Sequence, residues 1–195
     1  PFLDDLGPAG IDTDMLGDTV QKAGWKVVVD NYVESYHCDH AHPAFADILC
    51  MDDYKHDTFG LWARQLGPEV RHENSAYDFS PDEPVQQSTF WFLWPNTTFN
   101  ILPGAEELNI SCIRPMGLEE TYFGGHSFST TGEFDPKRMA YTADVLVPED
   151  IGLCESVKKG LQSKGYNQGR FIVDEGLTEL SEHAVHHFQT MVMEA

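Results

Sequence analysis

Residues 31–43 read Asn-Tyr-Val-Glu-Ser-Tyr-His-Cys-Asp-His-Ala-His-Pro and gather Glu34, His37, Asp39, His40 and His42 into a short stretch. Neutral imidazole is the commonest protein ligand for transition metals, so the cluster is a candidate metal site. Glu34 and His37 stand three apart and would share one face of a helix. His37 and His42 stand five apart, which on a regular helix turns them about 140° away from each other. They converge only if the helix widens or ends between them, and Pro43 favours an ending there. Two imidazoles with one remote carboxylate leave several positions open on an ion, the pattern of non-haem iron(II) sites that activate dioxygen. The same donors with a water also fit a catalytic zinc, which makes a zinc-dependent hydrolase the rival reading. The chain has no HExxH. His40 lies between the two candidate ligands and is the substitute for His42. His183, His186 and His187 also have a metal-capable spacing; the alternative is that His187 and Phe188 straddle a buried stripe while the other two face solvent. Cys38 reads as a small apolar packing residue rather than a ligand.

Elements on both sides must position these groups. A short element at 24–30 leads into 31–38, which can continue as a helix with Val33, Tyr36 and His37 on related faces, and Pro43 ends regular structure. The middle reads as β-structure: 58–66, Gln87–Trp94 closed by Pro95-Asn96, Thr97–Leu102 closed by Pro103-Gly104, Glu107–Met116 and Glu119–Ser129. Such β-rich runs separated by short turns predict antiparallel hairpins. In Glu107–Met116, Leu108, Ile110 and Cys112 fall on one side and Asn109 and Ser111 on the other. The C-terminal part reads as helix. Pro136 opens one helix to about Val145, Pro148-Glu149-Asp150 opens a second that Gly165 stops, and Ser181-Glu182 opens a third with Ala184, Phe188 and Met191 inward. Strands followed by helices predict an α+β domain with the helices over one face of an antiparallel sheet. Residues 1–18, rich in Gly, Pro and Asp, predict loop.

The 195 residues suit one domain and one core without staples. Twelve basic against 32 acidic residues give a net charge of −20, which argues against nucleic acid and mostly serves solubility. No run of about 18 apolar residues exists to span a membrane. The N-terminus lacks a signal-peptide pattern, and the four cysteines form no CxxC pair. The expectation is a cytoplasmic protein with reduced thiols.

Residues 25–43, WKVVVDNYVESYHCDHAHP, resemble the mononuclear-iron motif of the Rieske-type non-haem iron oxygenases: an acid, two residues, His, four residues, His. The flanking NY-x-E-x-YHC-x-x-x-HP is similar to the branch acting on quaternary ammonium compounds, such as the glycine betaine, choline and carnitine monooxygenases and stachydrine demethylase. PED…ESVKKGL…SKGY (148–166) and SEHAVHHF (181–188) resemble that branch too. The resemblance implies a helix-grip catalytic domain over 1–195, with helices packed over one sheet face as in Bet v 1 and START folds. It implies one Fe(II) held by His37, His42 and a third ligand at Asp150, with Glu149 and Asp144 as alternatives. An acid at a helix N-terminus beside Pro148 would be kept ionised by the helix dipole, which agrees.

By the same resemblance Glu34 is the acid that bridges two histidines across a subunit contact, one an iron ligand and one on a neighbouring chain's [2Fe-2S] cluster. The implied activity is O2-dependent hydroxylation next to nitrogen of a small-molecule substrate, giving net N-demethylation. It implies a separate NAD(P)H-dependent reductase and a homotrimer. An aromatic-ring-hydroxylating dioxygenase and a non-catalytic ligand-binding module are the alternatives. A quaternary ammonium substrate calls for an aromatic cage, for which Tyr32, Trp62, Trp91, Phe99 and Tyr122 are candidates. Strand alternation puts Phe90 and Phe92 on one face and Trp91 on the other, so the set cannot all line one pocket. The chain departs from the family in holding no C-x-H followed by C-x-x-H: Cys38-Asp39-His40 lies inside the iron motif, and no C-x-x-H follows. The expectation is that the Rieske domain is absent from this chain.

Overall fold

A computed structural model describes residues 11–12 and 18–195. Six strands, β3 (Lys55–Phe59), β4 (Trp62–Gly67), β5 (Ser88–Leu93), β6 (Thr97–Ile101), β7 (Glu107–Pro115) and β8 (Thr121–Ser129), form a continuous antiparallel meander. Beyond β8, two short strands complete the sheet, β1 (Ile11–Asp12) and β2 (Thr19–Gln21), both paired to β8. The loop expected over 1–18 otherwise lies outside the described residues. The β-rich run over 58–66 is divided between two strands, because Gly60 takes a left-handed φ of 55° and turns the chain into a hairpin. The other strands stand within a residue or two of the expected spans.

The register fixes two faces. His56, Gln65, Phe90, Asn100, Asn109 and Ser127 are cross-strand partners in one row, and Ala63, Phe92, Thr98, Ser111 and Gly125 in the next; both rows face the helices. Asp57, Arg64, Trp91, Phe99 and Ile110 form a row on the opposite face. Gly125 is required where β7 and β8 approach, since a Cβ there would stand 2.1 Å from the Ile110 carbonyl oxygen.

Over the inner face lies α1 (Trp25–Val33). Its Val27-Val28-Val29 run favours strand locally, but Trp25, Val28, Val29 and Tyr32 recur at i, i+3, i+4 and i+7, and burial on the sheet makes it helix. The helix does not continue through 31–38 as expected. Glu34 is extended, and the buried Ser35 pins the break by donating to the Glu179 carbonyl at 3.0 Å while accepting from His56 Nε2 at 2.8 Å. Two short helices follow, α2 (Cys38–Ala41) and α3 (Pro43–Ile48). Pro43 thus starts a helix at its first turn rather than ending regular structure.

After β8 the chain runs through α4 (Pro136–Tyr141), one π turn (Thr142–Leu146) and α5 (Val147–Leu161) without leaving helical geometry. Two separate helices were expected. Pro148 cannot donate to the i−4 carbonyl, and the wide π turn just before it absorbs that lost bond and the ring's bulk. Finally α6 (His183–Glu194) buries Ala184, Val185 and Phe188 against α1, with Phe188 edge-on to Trp25 at 5.6 Å. No described helix is long and apolar enough to cross a membrane.

One apolar cluster joins α1, α5 and α6 to Ala63, Phe92 and Ile113. A second joins α2, α3 and the 3-10 turn Met51–Asp53 to Tyr54, Tyr77, Phe79 and Tyr141. His56 is buried with its ring 5.7 Å from that of Tyr54, and burial pushes its pKa down to about 4. An unfolded chain protonates this group near 6.5. The unfolded state therefore binds the extra proton, and the stability conferred by His56 is complete above 6.5 and is lost as pH falls toward 4. The expected size is on the order of 3 kcal/mol. Urea unfolding of wild type and His56→Gln at pH 7 and pH 4.5 should show the wild type losing more stability across that window.

Candidate metal centre and cavity

His37 and His42 bracket the one-turn α2, His37 at its N-cap and His42 at its C-cap with φ −127° and ψ 63°. This break lets imidazoles five residues apart face one point. Their ring centroids are 5.0 Å apart and their planes cross at 77°. Asp150 meets them from α5: its Oδ1 lies 3.0 Å from His42 Nε2 and 3.7 Å from His37 Nε2. One donor atom from each of the three falls within 4.8 Å of the others. Asp150 does not sit at a helix N-terminus, because helical turns precede it, so position and not the end of a helix dipole brings it to the site.

Each donor is held from behind. The Glu34 carboxylate accepts from His37 Nδ1 through Oε1 and from the His37 backbone N–H at 3.2 Å through Oε2. They meet across a turn and not along the shared helical face expected for them. Glu149, an alternative ligand in the sequence reading, instead has Oε2 2.9 Å from His42 Nδ1. Asn31 donates to Asp150 Oδ1 at 2.6 Å. With both Nδ1 protons engaged, each Nε2 is left facing the carboxylate. Such contacts fix the tautomer and raise ligand basicity. Burial favours neutral His42, but its contacts with Asp150 and Glu149 outweigh this and raise its pKa. Two imidazole nitrogens and one carboxylate oxygen fit a divalent transition metal with open positions.

Asp144 and His40 are exposed and take no part. Cys38 is buried in the second cluster, and burial first pushes its thiol well above the usual range, so it packs as a neutral group. Among the described residues, the His183, His186 and His187 set does not converge on a point; His183 Nδ1 contacts Ser181, and His186 stands edge-on to Phe171.

The three donors lie in the wall of a cavity of about 260 Å³. Tyr32, one of the cage candidates, lines it and donates its hydroxyl to Asn100 Oδ1 at 2.6 Å. The other four do not. Trp62, Trp91 and Phe99 pack together on the opposite face of the sheet, where Arg64 already lies over Trp91 at 5.4 Å. Tyr122, also on that face, carries Arg114 over its ring at 4.1 Å. Four further aromatics line the cavity, Phe45, Tyr54, Phe90 and Phe123, of which Phe45 and Phe90 stack toward His42. Phe45 stands 6.5 Å from His42, and Phe90 5.7 Å from Phe45.

Sequence reading missed Asn31, Phe45, Asn100 and Asn109. For the last two the available signal was the Asn placed among alternating apolar positions on two adjacent strands. The polar side of β7 faces inward and lines the cavity, while Ile110 and Cys112 lie on the outer face.

The family described as the ring hydroxylating alpha subunit (catalytic domain) matches residues 16–195. The carnitine monooxygenase oxygenase subunit of Acinetobacter baumannii is 36% identical over 178 residues, covering 89% of this chain and 48% of that protein. A quaternary ammonium Rieske monooxygenase, described in connection with carnitine oxidation and inter-subunit electron transfer, superposes with a TM-score of 0.82 at 33% identity, over 93% of this chain and 50% of that one. The structure of such an enzyme in complex with L-carnitine gives a TM-score of 0.78 at 33% identity, over 94% and 48%. The chain thus spans about half the length of the relatives it matches.

Glu149→Ala frees His42 Nδ1 and should weaken Fe(II) or Co(II) binding about 10- to 100-fold, with Asn31→Leu having a smaller effect in the same direction. Metal titration followed by the Co(II) visible spectrum checks both variants; unchanged affinity in Glu149→Ala would show that the contact is incidental.

Proposed function

Because the chain belongs to the ring hydroxylating alpha subunit catalytic-domain family, we propose that it is the catalytic domain of an oxygenase that N-demethylates a quaternary ammonium compound. His37, His42 and Asp150 are the proposed ligands of one mononuclear iron(II). The observation that carries this reading is the convergence of these three donors in a cavity wall, with both imidazoles oriented by carboxylates. Bound there, iron(II) would supply dioxygen activation and C–H oxidation; an N-hydroxymethyl ammonium so formed breaks its C–N bond and loses the hydroxyl proton to solvent, giving formaldehyde and the tertiary amine.

The chain's own residues do the rest. Glu34 and Glu149 hold the imidazoles with Nε2 inward, and Asn31 holds Asp150 through one oxygen. Phe45 and Phe90 offer ring faces beside the centre, where a trimethylammonium group is attracted by the ring quadrupoles. The apolar walls from Leu102, Leu146 and Val147 exclude water from the reacting methyl group. Glu34 has a second proposed role. Its carboxylate is partly exposed while it holds His37, which suits a bridge to an electron donor on a neighbouring subunit. A Rieske [2Fe-2S] cluster is the proposed donor, refilled by an NAD(P)H-dependent reductase, and a trimer is the proposed assembly.

Metal analysis of the purified protein should find about one iron per chain, and His37→Ala and Asp150→Ala should lose it together with formaldehyde release from trimethylammonium substrates. Glu34→Gln should keep the iron and slow its reduction. Iron content unchanged by His37→Ala would overturn the assignment.

A further inference from the structure

Resting on the metal assignment above, we infer that His56 and Gln65 are positioning residues for the centre: side by side on β3 and β4, they hold the break in α1 that places Glu34 behind His37. The two are direct cross-strand partners in the row that faces the helices, and both are buried. They grip the chain on either side of Glu34. Before the break, Gln65 Nε2 donates to the Tyr32 backbone carbonyl at 2.5 Å. After it, His56 Nε2 meets Ser35 Oγ at 2.8 Å. Among the described residues, neither side chain bonds to His37, His42 or Asp150.

The direction of each bond is fixed by its partners. In a helix running on past Val33, the Tyr32 carbonyl would accept from the N–H four residues on, at Tyr36. Gln65 takes that acceptor instead. Its amide cannot be reversed, because only Nε2 can donate to a carbonyl, and its Oε1 accepts from the Tyr54 hydroxyl at 3.2 Å. Ser35 Oγ has one hydrogen and gives it to the Glu179 carbonyl at 3.0 Å. His56 Nε2 is therefore the donor to Oγ, and the neutral ring carries its proton there and leaves Nδ1 bare. Burial, which lowers its pKa to about 4, keeps the ring neutral at pH 7. Among the described residues Nδ1 has no hydrogen-bond partner. The polar contribution of the ring is thus one N–H, which a glutamine amide can reproduce.

The two donors stand where a helix would supply its own. With the Tyr32 carbonyl capped from the sheet and Ser35 drawn into it, Glu34 is left extended at φ −121° and ψ 162°. From there its carboxylate reaches His37 Nδ1 and the His37 backbone N–H. Without the two donors α1 is free to extend. Each added helical residue turns the side chains beyond it by about 100°, which carries His37 off the point it shares with His42. A buried amide and imidazole need partners, and theirs are the two places where the helix must stop.

Two measurements on the full chain test this in His56→Leu, Gln65→Leu and His56→Gln, the last of which keeps the donor. The first is amide hydrogen exchange of the metal-free protein at His37 and Cys38, whose N–H groups bond Glu34 Oε2 and the Ser35 carbonyl. Relative to the β5 amides of the same protein, exchange there should be about 10-fold faster in both leucine variants and near wild type in His56→Gln. The second is Co(II) affinity, followed by the visible spectrum, which should fall about 10-fold in both leucine variants and return in His56→Gln. Unchanged exchange in the leucine variants overturns the inference. Faster exchange with wild-type Co(II) affinity and spectrum also overturns it, since the pair would then be structural only. A His56→Gln variant no better than His56→Leu overturns the bond assigned to His56. Co(II) binding that survives His37→Ala contradicts the metal assignment instead, while the exchange rates still judge the grip on the break. The β5 reference separates a local release from a general loss of stability.

Discussion

An α-helix cannot aim two residues five apart at one point, and the architecture around the centre answers that constraint. Continuous helix from Trp25 through His42 would separate His37 from His42 by about 140°. The chain instead leaves helix at Glu34, makes one turn of helix between the two histidines, and restarts at Pro43. The breaks are built by tertiary contacts. Ser35 bonds the C-terminal segment and His56 of the sheet, and Pro43 suits the first turn of the next helix. Opposite them the chain does the reverse and keeps a long helical run through a proline by widening one turn. Glu149 and Asp150 thereby arrive together, one behind His42 and one in front of it.

The second organising feature is a sheet whose polar positions turn inward. Asn100, Asn109 and Ser111 face the helices, while Trp62, Trp91 and Phe99 cover the far side. For a simple core this would be costly, because buried amides need partners. Here they satisfy one another in a chain anchored on a backbone carbonyl and border a cavity. The apolar ring faces and the polar wall thus share one enclosure with the three donors.

Much of this was legible in sequence. β-rich runs punctuated by Pro95-Asn96 and Pro103-Gly104 placed most of the strands, and the five-residue spacing of His37 and His42 called for a helix that widens or ends between them if the two are to converge. Three things were not legible. Pro148 reads as a helix start because nothing local announces a π turn that tolerates it. The end of α1 depends on Ser35 meeting residues far along the chain, which no window of sequence contains. The inward face of β7 follows from cross-strand register, and alternation alone reports two faces without saying which is buried. The same ambiguity sent the aromatic-cage reading to Trp62, Trp91 and Phe99, where Arg64 and not a ligand stacks on the cluster.

The account stands on three side chains meeting at one metal. A crystal of the protein grown with Fe(II) under anaerobic conditions, with anomalous data at the iron edge, tests that most directly. The account predicts one strong peak bounded by His37 Nε2, His42 Nε2 and a carboxylate oxygen of Asp150, with Glu34 and Glu149 still on the two Nδ1 atoms. A peak at Cys50, Asp53 and Glu69, the other described group with donors close enough for an ion, and none between the histidines would contradict it.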